Sequence, residues 1–204
     1  MTINRVFGSG GGEIAHKLGE RLGVKVYNKI ILHKLEEEYH LTWEELEHIK
    51  GQKIGWWEEF CRFYKQFGAM ANSYQEVDDK VTSLQVYQTE KRILQKLAER
   101  ESCIILGRSG FHIFRKDPTA TKILILADED ARVERVMSKT DMKDKDVRKL
   151  MVKIDKARET YTQSFAQCSR YDARNYDLVV NVTGMNVADA VEFIYNFLKE
   201  KGKV

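Results

Sequence analysis

The chain has a single proline, Pro118, only three cysteines, and no apolar run approaching the 18 residues of a membrane-spanning helix. Its first residues, MTINRVFGSGGGEIAHK, hold neither an apolar stretch nor a small-residue cleavage site of the secretory kind. The expectation is a soluble, cytoplasmic protein with no membrane partner. Cys61, Cys103 and Cys168 stand far apart, none at metal-ligand spacing, and their odd number argues against a disulfide framework. The five histidines are scattered and form no cluster with cysteine, which dismisses structural zinc. Charge of one sign is also lacking. The 34 Lys and Arg against 31 Asp and Glu leave a net charge of +3, too little to indicate a nucleic-acid partner.

What is present describes a folded domain. A 43% apolar share with 10% aromatic residues excludes disorder. A length of 204 residues suits one domain, spanning 1–204, with an insertion. Charge is uneven along the chain. Residues 34–48 carry six acidic side chains and one lysine, whereas residues 130–158 carry ten basic and six acidic ones. The second stretch is suited to an anionic ligand, or is a solvated helix face.

Short apolar strings alternate with long amphipathic stretches, which predicts strands alternating with helices and a parallel sheet. The strands are expected at 2–7, 24–27, 103–106, 122–127 and 177–181. ILILA at 123–127 and LVV at 178–180 read as strands buried on both faces, because they are short and do not alternate. Helices are expected at 12–22, 78–101, 129–138, 144–167 and 187–200. Thr42-Trp43-Glu44-Glu45 fits a capping box that opens another helix. The set Trp56, Trp57, Phe60, Phe63, Tyr64 and Phe67 has the spacing of an apolar helix face. Residues 28–78 thus read as a helical insertion on a three-layer α/β core.

The strongest chemical signal is Gly8-Ser9-Gly10-Gly11-Gly12-Glu13, between the first expected strand and the first expected helix. Glycines there let the backbone approach a ligand, successive N–H groups converge, and the helix N-terminus adds its dipole. The unit suits a phosphate. It is not the standard phosphate loop G-x-x-x-x-G-K-[ST], because Gly11 stands at the lysine position, with Gly12 and Glu13 after it. Nor is it the dinucleotide fingerprint, which needs a further Gly or Ala and an acidic residue after the second strand.

Arginines supply a second signal. Arg108 follows the apolar string Cys103-Ile104-Ile105-Leu106 and Gly107, at the strand end where α/β proteins bind ligands. Its guanidinium matches a phosphate bidentately. Arg132 and Arg135 lie one turn apart, and Arg148, Asp155 and Arg158 share the long helix from Asp144. Phosphoryl transfer consists largely of positioning and charge neutralisation, which several converging arginines provide; the alternative for each is an ordinary exposed arginine. Tyr27-Asn28-Lys29 closes the second expected strand at the same edge.

These motifs together resemble the cytidylate kinase-like family, a branch of the P-loop nucleoside monophosphate kinases. Ile3-Asn4-Arg5-Val6-Phe7-Gly8-Ser9-Gly10-Gly11 is similar to the family's opening, and Tyr27-Asn28-Lys29 to its Tyr-Asp-Lys corner. Gly107-Arg108 resembles its Gly-Arg, and Ala131-Arg132-Val133-Glu134-Arg135 its arginine-bearing helix. Asp155, Arg158 and Tyr161 resemble its D-x-x-R-x-x-Y lid pattern, and 176–181 its terminal strand. The resemblance implies a P-loop NTPase-type fold with a five-stranded parallel sheet, a helical acceptor lobe at 28–78 and a lid at 139–158.

It further implies ATP and Mg²⁺, with CMP or a related small molecule as acceptor. Gly8, Ser9, Gly10, Gly11, Gly12 and Glu13 would hold the donor, while Arg5, Tyr27, Asn28, Lys29 and Arg108 would meet the acceptor. Arg108, Arg132, Asp155 and Arg158 would form the catalytic set. No protein residue is singled out as a metal ligand. The chain departs from the family at Gly11, at Gly12 (commonly Arg), at Asn28, and at Leu106 and Ser109, where cytidylate kinases are acidic. Either Arg5 or a lid arginine is expected to replace the lysine charge. An active kinase and a catalytically degenerate nucleotide-binding module both remain open.

Overall fold

The structure, a computed structural model, describes residues 1–28 and 80–204. Five strands form one sheet: β1 (Thr2–Arg5), β2 (Lys25–Tyr27), β3 (Cys103–Leu106), β4 (Lys122–Leu126) and β5 (Leu178–Asn181). All pair in parallel, in the order β2-β3-β1-β4-β5. The helices are α1 (Gly11–Leu22), α2 (Lys80–Arg100), α3 (Gly110–Ile113), α4 (Glu129–Met137), α5 (Asp144–Ala166) and α6 (Val187–Glu200), with a 3₁₀ turn at Ala173–Asn175. The expected α/β class, its parallel sheet and all five strand positions are present.

The sheet is covered on both faces, as a parallel sheet must be. Ile14, Ala15 and Leu18 of α1 and Ala190, Val191, Ile194 and Leu198 of α6 pack on Ile3, Ile104, Ile123, Ile125 and Val180. Ile93, Leu94 and Leu97 of α2 cover Tyr27, Cys103 and Ile105 on the other face. A third cluster joins Phe7 to Val133 and Val136 of α4 and to Val147 and Met151 of α5. It fastens the turn after β1 to the long helix.

One expectation needs correction. β4 is buried on both faces, but β5 lies at one edge of the sheet, and Val179 there is 38% exposed. Apolar composition alone cannot distinguish an inner strand from an edge one. The short α3 and the 3₁₀ turn were not among the expected elements. The capping box at 42–45 and the aromatic set at 56–67 lie outside the described residues.

Candidate active site

β1 ends at Arg5 because the chain turns out of the sheet. The amide of Val6 still donates to Ile125 O at 3.1 Å, but that of Phe7 donates to Asp155 Oδ1 at 2.9 Å. Gly8 and Gly10 then take φ of 79° and 78°, in the left-handed region that glycine enters at little cost. Ser9 braces the bend, its hydroxyl donating to Val6 O at 2.9 Å and accepting from Gly11 N at 3.3 Å. Gly10 is the N-cap of α1, and Ile14 N is the first amide to bond back, to Gly10 O at 3.0 Å. The amides of Gly12 and Glu13 therefore stay open among the described residues, at the positive end of the helix dipole. A Cβ on Gly12 would meet nothing within 4 Å among the described residues. Main-chain donors at a helix start are a geometry suited to an anion.

Arginines surround the loop from behind. Arg132 Nε donates to Phe7 O at 2.6 Å, and its Nη2 pairs with Asp155 Oδ2. Arg135 Nη1 donates to Ser9 O at 2.6 Å, and its Nη2 reaches Met185 O at 3.4 Å. Arg158 Nη1 lies 3.6 Å from Asp155 Oδ1 and 3.4 Å from Arg5 O. Arg170, only 2% exposed, donates to Arg5 O and has Nη1 3.9 Å from Asp155 Oδ1. Asp155 is thus the anionic hub that ties α5, α4 and the loop together. Arg5 itself runs forward: its stem packs where Gly11 lacks a side chain, and its guanidinium lies against Gly107.

The neighbouring strand β3 delivers Arg108. Gly107 N donates to Ile3 O at 2.9 Å, after which Gly107, Arg108 and Ser109 take φ of 82°, 53° and 52° in succession. Two non-glycine residues in this region store strain, a feature that concentrates at functional sites. The guanidinium pairs with Glu90 of α2 and stands over the Tyr161 ring, 4.5 Å from its centre. Glu90 is 1% exposed; its Oε2 also accepts from Tyr161 Oη at 2.8 Å, and its Oε1 has no hydrogen-bond partner among the described residues. Ser109 Oγ meets Thr162 Oγ1 at 3.3 Å. The α5 helix therefore braces both loops.

The structure brings Arg5, residues 8–13, Arg108, Arg132, Asp155 and Arg158 to the carboxyl edges of β1 and β3. Arg148 stays apart, bound to Glu129, Asp130 and Asp144 on the surface. The Tyr27 hydroxyl is bonded to Glu101, at the opposite end of β3 from Arg108. Burial, and then that carboxylate, push the phenol pKa well above its ordinary value. Asn28 closes the described part of its loop, and Lys29 lies outside the described residues. Lys139, where the expected lid begins, pairs with Glu13 at 2.7 Å.

Two partners escaped the sequence reading. Glu90 had a signal, since it is a carboxylate on the apolar stripe Tyr87, Ile93, Leu94 and Leu97. Arg170 had none, because it lies in an aperiodic connection. Among the described residues no group of three or more His, Cys, Asp or Glu is placed to hold a metal, and no helix is long and apolar enough to cross a membrane.

A five-stranded parallel sheet with a glycine loop leading into α1 is the architecture of P-loop kinases. The family model for the cytidylate kinase-like family matches residues 1–184, and the chain belongs to that family. An uncharacterised protein from Eubacterium ventriosum is 24% identical, with 98% of this chain and 97% of that one covered and a TM-score of 0.69. The shikimate kinase of Bacteroides thetaiotaomicron is 13% identical over 97% and 96% of the two chains, with a TM-score of 0.51. TT1252 from Thermus thermophilus is 16% identical over 98% and 95%, at 0.50. These structures share the fold. No curated protein matches the sequence.

Proposed function

We propose that the protein is an ATP-dependent phosphotransferase of the nucleoside monophosphate kinase type, moving the γ-phosphoryl group to CMP or a related small acceptor. The observation that carries this reading is the pair of adjacent loops: open amides of Gly12 and Glu13 after β1, and the strained, buried-carboxylate-held Arg108 after β3. A donor phosphate on the first and an acceptor beside the second would meet across Arg5, as in-line transfer requires. Membership in the family supports a nucleotide as donor.

Each expected role follows from that frame. Residues 8–13 hold the donor phosphates, with Arg132, Asp155 and Arg158 fixing the loop and its surrounding charge. Arg108 meets the acceptor. Tyr27, Asn28 and Lys29 belong to the acceptor side through residues 28–78, and 139–158 closes over the donor as a lid within one domain. Mg²⁺ binds through phosphates, waters and one or two carboxylates. Glu13 lies in the first turn of α1.

The test is ADP release with Mg·ATP against a panel of nucleoside monophosphates, CMP and dCMP included, with Arg108→Ala as control. Acceptor-dependent turnover that falls at least about a hundredfold in the variant is expected for loss of a substrate-orienting arginine. ATP binding without turnover on any acceptor would instead favour the degenerate nucleotide-binding module, for which the glycine at position 11 is the specific observation.

A further inference from the structure

We infer that the cation of the phosphate loop has moved to a different anchor: Arg5, at the end of β1, takes the place of the lysine that Gly11 lacks. The inference rests on the donor-phosphate reading of the loop and names the residue that completes it. In G-x-x-x-x-G-K the first glycine precedes the lysine by six positions. Arg5-Val6-Phe7-Gly8-Ser9-Gly10-Gly11 keeps that length and the second glycine, Gly10, but exchanges the two ends. A side chain stands where the motif has glycine, and glycine where it has the cation.

The structure shows why the two changes go together. A Cβ built on Gly11 would lie 2.6 Å from Arg5 Cβ and 3.0 Å from Arg5 Cγ, inside any tolerable contact. Positions 5 and 11 open into one space, which accommodates one side chain. From there the Arg5 stem crosses to the next loop, and its guanidinium lies where a Cβ of Gly107 would be. Gly107 is thus needed twice, for its φ of 82° and for the room it leaves. The charge is delivered between the donor loop and Arg108, where the transferred group would lie.

The other arginines have a different task. Arg132 and Arg135 are bonded to the carbonyls of Phe7 and Ser9, and Arg170 to that of Arg5. Arg158 is placed against Asp155 and Arg5 O. They hold the back of the loop, where its carbonyls point, rather than the face its amides present. Arg170 and Arg158 meeting at Arg5 O also fix the peptide from which the Arg5 side chain departs. A planar guanidinium can bridge two phosphate oxygens where an ammonium acts as a point charge.

The test is calorimetric binding of Mg·ATP and of inorganic tripolyphosphate to the wild type, Arg5→Met, Arg5→Lys and the exchange variant Arg5→Gly/Gly11→Lys. Circular dichroism melts verify that each is folded. Removal of a charge-assisted contact predicts at least a roughly tenfold weaker affinity for both ligands in Arg5→Met. Partial recovery in Arg5→Lys and recovery in the exchange variant are expected, because the cation returns to the same space. Unchanged affinity in Arg5→Met overturns the inference and leaves the kinase reading standing. Loss in Arg5→Met with recovery in neither cationic variant also overturns it, making Arg5 a strut. Failure of the wild type to bind either ligand overturns both the inference and the donor-site reading.

Discussion

The loops after β1 and β3 lie side by side on paired strands, yet they present their donor groups by opposite means. The first removes side chains: Gly8 and Gly10 bend the chain, and the amides at the start of α1 are left open among the described residues. The second retains a side chain and forces the backbone to suit it, with Arg108 and Ser109 at positive φ. A main-chain arrangement depends on what is absent at each position. A guanidinium held in place depends on a partner elsewhere, here Glu90 from α2 and Tyr161 from α5. Mutational sensitivity should therefore fall on the loop's own glycines in one case and on remote residues in the other.

The largest effect is expected at Glu90. Glu90→Ala leaves a deeply placed Arg108 without this carboxylate, and stability should fall by about 3–5 kcal/mol in urea unfolding. A loss below about 1 kcal/mol would show that Arg108 is not held by α2, and the contrast between the loops would fail. Two adjacent glycines test the other side. Gly11→Ala sets a methyl against Arg5 and should cost about 1–3 kcal/mol. Gly12→Ala enters open space at a helical position and should add roughly 0.4–1 kcal/mol. Equal effects at the two positions would mean that the loop relaxes and the shared space with Arg5 is not real.

The smallest effect compares the helices that follow the loops. His16 on α1 and His112 on α3 are both held below the ordinary 6.5 by burial. At His112 the Arg115 and Lys91 charges add to that, whereas Glu20 opposes it at His16. Below that pH the unfolded chain takes up more protons, so stability is complete above about 6.5 and declines as the pH falls. His112→Gln and His16→Gln should each flatten the decline, by under about 1 kcal/mol. Thermal melts between pH 7.5 and 5 measure both, and a steeper decline in His112→Gln would reverse the assignment.

Much of this was legible in the residues, and the reason is local in each case. Ile123, Leu124 and Ile125 marked a buried strand because a parallel sheet leaves no face for polar alternation. The glycines between β1 and α1 marked a tight bend into the helix, because glycine enters the left-handed region at little cost. Arg108 was readable from its place after β3. Val179 was not placed as an edge residue, since LVV reads the same in the centre of a sheet.

Local patterns were enough for the class of fold, the order of its elements, the glycine bend between β1 and α1 and the glycine at position 11. Each depends on residues within one turn or one strand of each other. Which arginine meets which partner was settled by the packing of distant elements. Arg132 and Arg148 are alike in sequence, both on helices in a basic stretch, but one clasps Phe7 O and Asp155 while the other joins a surface cluster. Arg170 and Glu90 joined the site through contacts with elements 165 and 18 positions away, to Arg5 O and Arg108. Long side chains reach across elements, so their partners are set by how helices dock on the sheet. Arg5 and Gly11 lie six positions apart, yet that they occupy a single space became visible only once the loop was folded.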